Sequence, residues 1–307
     1  MNTVVHAGFG VAGLQPPGID AAASRHPVDG SPVLALRDIT HRFGPETVLE
    51  KVDLSLARGE VLALLGRSGC GKTTLLRIAA GLLAPSEGQV EAGFRDAAVV
   101  FQQPDLLPWK RVLDNIAFGL KARGMPRVER RERARALARQ VGLRTEDLDK
   151  YPAELSGGMQ SRVAFARALA IEPDILLMDE PFSALDLGLR SQMHALLAAR
   201  ISTVHSAGLL VTHDLMDALR IAHEVVLMEP CPGRVLVRFR IERPLAERDD
   251  AWVYCHTGLL LDHPTVRSAF ELPLRTHGVR ECEARLGENS IHVLPEPPVA
   301  ALAARRA

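Results

Sequence analysis

The chain has 307 residues, 47% of them hydrophobic and 24% charged, enough for one large domain and a small extension. Its 37 Lys and Arg balance 37 Asp and Glu, which gives no basis for broad electrostatic capture of nucleic acid. Cys70, Cys231, Cys255 and Cys282 match neither a zinc spacing nor a disulfide framework, and a reducing compartment is the simplest reading.

Residues 1–32 are rich in Gly, Ala and Pro without a steady period. They read as a flexible leader and lack the basic region and apolar run of a signal peptide. No apolar run reaches the roughly 18 residues of a membrane span, so any membrane role is expected to come through a partner. Strand character begins at Val33–Ile39, returns at Val52–Leu56 and becomes wholly apolar at Val61–Leu65. Lys72–Ala80 has helical character, and Val99–Gln102 is a short strand. The Ala- and Arg-rich stretch Val112–Gly142 carries Leu and Val at helical spacing and reads as a helical insert. A helix over Gly158–Ala170 stops before Pro173. Apolar strands follow at Ile175–Met178, Leu209–Thr212 and Val225–Met228, with a further strand at Val235–Ile241. Beyond about residue 260 the pattern weakens. The strand–helix alternation predicts an α/β fold with a mainly parallel sheet.

Gly66-Arg67-Ser68-Gly69-Cys70-Gly71-Lys72-Thr73 fits the phosphate-loop pattern at every fixed position, between an apolar strand and a helix. Glycines let the backbone curl so that successive N–H groups face phosphate, and the helix presents its N-terminus to the same charge. Lys72 is placed to reach the β- and γ-phosphates of a nucleotide and the Thr73 hydroxyl to ligate Mg²⁺. Cys70 sits inside this loop, so its oxidation is expected to block nucleotide binding. Ile175-Leu176-Leu177-Met178-Asp179-Glu180 is a buried strand closed by two acids. Alone, these could simply be exposed carboxylates. Beside a phosphate loop, Asp179 is assigned to Mg²⁺ and Glu180 to the attacking water.

Further segments bring in a family. Leu155-Ser156-Gly157-Gly158-Met159-Gln160 resembles the signature motif of ATP-binding cassette proteins, and Ser183-Ala184-Leu185-Asp186 the loop after their catalytic acid. His213 resembles the switch histidine, Gln102 the loop glutamine that senses Mg²⁺ and the membrane partner, and Phe43 the aromatic that stacks on adenine. The resemblance covers roughly residues 33–240. It implies a P-loop NTPase cassette with a mainly parallel core sheet, an antiparallel β part and a helical insert at about 105–165. The implied nucleotide contacts are Phe43, Gly66, Ser68, Gly69, Gly71, Lys72, Thr73, Thr74, Ser156, Gly157, Gly158 and Asp186. Glu180, His213 and Gln102 are the implied catalytic set; Thr73, Gln102 and Asp179 are the implied metal set. Two cassettes would sandwich two ATP molecules head to tail, closing with ATP and reopening after hydrolysis, and the insert would pass that motion to a permease.

Phe101-Gln102-Gln103-Pro104-Asp105-Leu106-Leu107-Pro108-Trp109, with Val112, Asp114, Asn115 and Ile116, resembles bacterial importer cassettes for nitrate, sulfonate, taurine and related solutes. Pro230-Cys231-Pro232-Gly233-Arg234 resembles a late segment of the same branch, although its two prolines and glycine also read as a plain turn. The expected protein is thus an ATP-hydrolysing subunit on the cytoplasmic face of the cell membrane. Its expected partners are permease subunits, a second cassette (a homodimer) and a solute-binding protein, without nucleic acid. The alternatives are an exporter cassette and a soluble cassette ATPase of translation or DNA repair. Cassette boundaries are expected at 33 and 244, followed by an extension, 245–307, without an assigned motif. His256 and His263, near Cys255 and Asp262, have the spacing of packing or surface residues rather than a metal site.

Overall fold

The computed structural model of the protein describes residues 32–273, 285–287 and 290–295. The expected leader, apart from Pro32, and Cys282 lie outside the described residues.

Two sheets organise the chain. Strands β1 (Leu34–Phe43), β2 (Glu46–Leu56) and β4 (Glu87–Ala92) form an antiparallel sheet in the order β2-β1-β4. The second sheet has the order β10-β9-β8-β3-β7-β6-β5. Its parallel centre comprises β8 (Glu224–Glu229), β3 (Val61–Leu65), β7 (Ala207–Val211), β6 (Ile175–Asp179) and β5 (Ala97–Val100). Strands β9 (Arg234–Ile241) and β10 (Ile291–Leu294) add on antiparallel. Every residue of β3, β6 and β7 is buried, which is why these strands read as continuous apolar runs rather than alternating ones. At the start of β3 the Val61 amide donates to His223 Nδ1 at 3.0 Å. Burial, with Arg248 nearby, pushes the His223 pKa down to about 4, so the ring remains a neutral acceptor at physiological pH.

Helix α1 (Lys72–Ala79) follows β3 directly. The expected helical insert contains α2 (Val112–Ile116), α3 (Phe118–Ala122) and α4 (Arg127–Gln140). They pack with α5 (Gly157–Ala170) in one apolar cluster that includes Ile116, Leu120, Leu137 and Phe165. Asn115 organises the loop in front of them. Its side chain is fully buried, accepts from Leu107 N at 2.8 Å and donates to the carbonyls of Lys110 at 2.9 Å, Leu107 at 3.2 Å and Arg111 at 3.2 Å. Arg167 of α5 holds the same loop through the carbonyls of Asp105 and Pro104. Trp109 stands out from this pinned loop, 63% exposed, and so does not pack the insert. Asn115→Ala would orphan several of these buried backbone groups. It is expected to cost about 2–3 kcal/mol, read as a lower midpoint in denaturant; an unchanged midpoint would show that Arg167 alone holds the loop.

Helices α6 (Leu187–Val204) and α7 (Leu215–Ile221) cover the sheet after β6 and β7. Beyond β9, α8 (Asp250–Asp262) and α9 (Pro264–Ala269) place Trp252, Val253, Leu260 and Val266 in the main core. His256 stacks on Trp252 with ring centroids 4.0 Å apart, and His263 meets Phe239 edge-on at 5.4 Å; both histidines serve packing. Among the described residues, no helix is long and apolar enough to cross a membrane.

Candidate active site

The site lies at the carboxyl ends of β3, β7 and β6, where ligands of open α/β sheets bind. The turn after β3 is possible only for glycines. Gly69 and Gly71 have φ of 87° and 84°, the left-handed region that favours glycine. A Cβ on Gly66 would lie 2.7 Å from the Met228 carbonyl oxygen, and one on Gly71 would lie 2.6 Å from Leu49 Cδ2. The loop therefore rests directly on the end of β8 and on β2. Behind it sits Gly233, whose backbone pairs with Val48 and Glu50. A Cβ there would fall 2.3 Å from the Cys70 carbonyl oxygen. In sequence this segment resembles a late part of the importer branch or a plain turn; only the approach of two distant strands reveals Gly233 as part of the floor of the loop.

Lys72 folds back over its own loop, donating to the carbonyls of Gly66 at 2.7 Å and Arg67 at 2.9 Å. It is thus buried and held at the mouth of the turn, and these neutral partners are ones an incoming phosphate can replace. Cys70 lies beneath it, with Sγ 3.6 Å from Nζ, and is fully buried. The thiol has no exposed surface, so the expected oxidation requires the phosphate loop to open.

The Thr73 hydroxyl donates to Asp179 Oδ2 at 2.9 Å. Asp179 is buried. Burial pushes its carboxyl above the usual range, partly offset by the Thr73 hydrogen bond and the charges of Lys72 and Arg77. Glu180 follows with φ of 48°, a left-handed backbone uncommon for a residue with a side chain. Its N–H donates to the Val211 carbonyl at 2.9 Å. Glu180 Oε1 then lies 2.7 Å from His213 Nδ1, so the strand-end acid and the histidine after β7 hold each other. The loop carrying His213 is braced from below. The Thr212 hydroxyl accepts the Asp214 N–H at 3.0 Å, Asp214 caps α7, and Arg190 of α6 pairs with Asp214 and Asp217. Burial opposes ionisation of Asp217, but His194 and Arg190 together hold its carboxyl below the usual range.

Ser156 caps α5, its Oγ accepting from Met159 N at 3.3 Å. Ser156 and Gly157 face solvent, while a Cβ on Gly158 would lie 3.0 Å from the Ala184 carbonyl oxygen. This contact ties the signature-like turn to the loop carrying Asp186, which caps α6. Phe43 is 52% exposed and edge-on to His41, and Gln102 is exposed just after β5. Ser68 and Thr74 lie within the phosphate loop and the first turn of α1.

A family model described as ABC transporter matches residues 49–183. The chain is 45% identical over 203 residues to the taurine import ATP-binding protein TauB of Escherichia coli O157:H7, spanning 64% of this chain and 79% of that one. It is 41% identical over 250 residues to the aliphatic sulfonates import ATP-binding protein SsuB of Cupriavidus pinatubonensis, spanning 79% and 81%. The chain belongs to the ATP-binding cassette transporter family. It is the ATP-hydrolysing, nucleotide-binding subunit of such a system. The fold agrees with a solved cassette, MJ0796, described as a dimeric post-hydrolysis state bound to ADP and Pi. That structure is 31% identical, has a TM-score of 0.62 and covers 69% of this chain and 98% of its own. The cassette's expected fold, with a mainly parallel sheet, an antiparallel sheet and a helical insert, is the one observed.

Proposed function

We propose that this cassette powers import of a small sulfonate, such as taurine, through a separate permease at the cytoplasmic face of the membrane. The observation that carries the reading is the run of relatives at 41–50% identity named for taurine or aliphatic sulfonate import. The pinned loop ending in exposed Trp109 supports it at the residue level.

Within that reading each residue has a task. Gly66, Ser68, Gly69, Gly71, Lys72, Thr73 and Thr74 hold the polyphosphate, and Phe43 meets the adenine. Mg²⁺ fits the paired Thr73 hydroxyl and Asp179 carboxylate. Both are hard oxygen donors, and among the described residues no cation bonds the buried acid directly. Gln102 completes that set. The metal, when bound, neutralises phosphate charge. Glu180 takes the proton of the attacking water, and His213 orients Glu180 and the terminal phosphate. Ser156 and Gly157 face solvent at the start of α5 and, with Gly158 behind them, meet a nucleotide held by a second copy, and Asp186 joins the two sites. Residues 33–244, with the insert at about 105–165, form the cassette; 1–32 are a leader and 245–307 an extension. A binding protein outside the membrane delivers the solute.

A tagged chain recovered from gently solubilised native membranes is expected to bring a multi-span permease, and vesicles holding that complex are expected to take up labelled taurine with ATP. Recovery of ribosomal or DNA-repair partners alone, from a preparation that preserves membrane complexes, would overturn the transport reading and leave the ATPase standing.

A further inference from the structure

The segment that follows the cassette reaches the phosphate loop. Helix α9 packs along β8, and the end of β8 lies under Gly66. Val266 anchors α9 in the core. Arg267, itself buried, donates to the carbonyls of Pro273 at 2.6 Å and Leu261 at 3.1 Å, and Leu272 N returns to the Arg267 carbonyl at 2.8 Å. These bonds fix the short turn after α9 and hold Glu271 in a left-handed backbone, φ 53°. Its carboxylate meets the guanidinium of Arg67, the second residue of the phosphate loop.

Arg67 is no bystander there, since its carbonyl already accepts from Lys72. The phosphate loop and the residue that closes it carry two cations, Lys72 and Arg67. One of them is paired from outside by an acid some 200 residues later in the chain. We propose that Glu271 is a positioning residue for the phosphate loop: by pairing with Arg67 it lowers the positive charge offered to the polyphosphate, so the post-cassette segment sets nucleotide affinity. The inference rests on the phosphate loop being the nucleotide site. It follows from charge alone that freeing Arg67 strengthens attraction for the anion, and that salt weakens the difference.

The test is equilibrium binding of ATP to the full chain, together with steady-state ATPase kinetics. Glu271→Gln is expected to lower the Kd and KM for ATP about two- to fivefold at low salt, the range open to an exposed pair. Its kcat should be unchanged, and the difference should fade at high salt. In an Arg67→Gln background the same substitution is expected to do nothing. An unchanged Kd at low salt would overturn the proposal, as would an equal shift with Arg67 absent, which would make Glu271 merely structural. Lys72→Ala serves as the reference. If it bound ATP as tightly as the parent, the loop itself would not be the nucleotide site, and this inference would fall with that reading.

Discussion

Replacing Glu180 with Gln is expected to slow ATP turnover at least about a hundredfold while leaving nucleotide affinity within about a factor of two. The substitution keeps shape and volume but removes the base. Glu180 is held tightly: its N–H donates to Val211, its carbonyl accepts the Ser183 hydroxyl at 2.9 Å, and its carboxylate lies 2.7 Å from His213. An amide fits the same slot and still meets the imidazole, so neither the end of β6 nor the phosphate loop has reason to move. Its oxygen, however, does not accept a proton at neutral pH. Single-turnover hydrolysis and equilibrium ATP binding, measured on the same preparation, separate the two effects. Turnover equal to the parent would remove Glu180 from the chemistry. A parallel loss of binding would make it a structural support of the site. In its proposed role His213 orients Glu180 rather than taking a proton, so His213→Ala is expected to lose less than Glu180→Gln.

Much of this site was legible before any coordinates, for a physical reason. Asp179 and Glu180 close one wholly buried strand, and Lys72 and Thr73 open the helix that follows another across the phosphate loop; a buried parallel strand leaves an unbroken apolar run that marks its own boundary. Val61–Leu65 is therefore the same strand in sequence and in structure. Elements with one wet face were harder. Strand β4 has largely exposed residues and carries two Glu and a Gly, so it holds its place through pairing with β1 rather than through composition. Helix α6 begins with Leu187, 79% exposed, and mixes alanines with polar residues all round, which blurs its period. The extension after residue 245 offers no motif, and its pattern weakens beyond about residue 260, because its anchors, Trp252, Val253, Leu260 and Val266, are few; they nonetheless enter the main core. Gly233 could be read only as part of a branch-like or turn segment, and Glu271 not at all. Their meaning lies in contacts with Cys70 and Arg67, far away along the chain.

Asp179→Asn is expected to move stability and activity in opposite directions. The native carboxyl is buried beside Thr73, with burial pushing its pKa up and only partial compensation from the Thr73 hydrogen bond, Lys72 and Arg77. The folded state therefore binds the proton of Asp179 more tightly than the unfolded chain does. For an acid with a raised folded pKa, stability falls as pH rises through the carboxylate range, and at neutral pH the nucleotide-free fold carries that cost. Asparagine removes the charge, keeps an oxygen to accept the Thr73 hydroxyl at the same place, and is nearly isosteric. The variant's melting temperature without nucleotide should exceed the parent's at neutral pH, and the gap should narrow as pH is lowered towards the carboxylate range. The same change deprives the site of the anionic oxygen proposed to hold Mg²⁺, so Mg²⁺-dependent turnover is expected to fall by about two orders of magnitude. The stabilisation of the parent by added Mg²⁺-ATP, seen as a rise in melting temperature, should shrink in the variant. A variant that melts lower than the parent at neutral pH would mean that Asp179 stabilises the fold as a carboxylate. A variant still stabilised by Mg²⁺-ATP as strongly as the parent would show that the metal is held elsewhere. The opposed signs are what separate a functional acid from a structural one. A carboxylate present for the fold loses both stability and activity on neutralisation, whereas one held in a buried slot for a cation loses only the second.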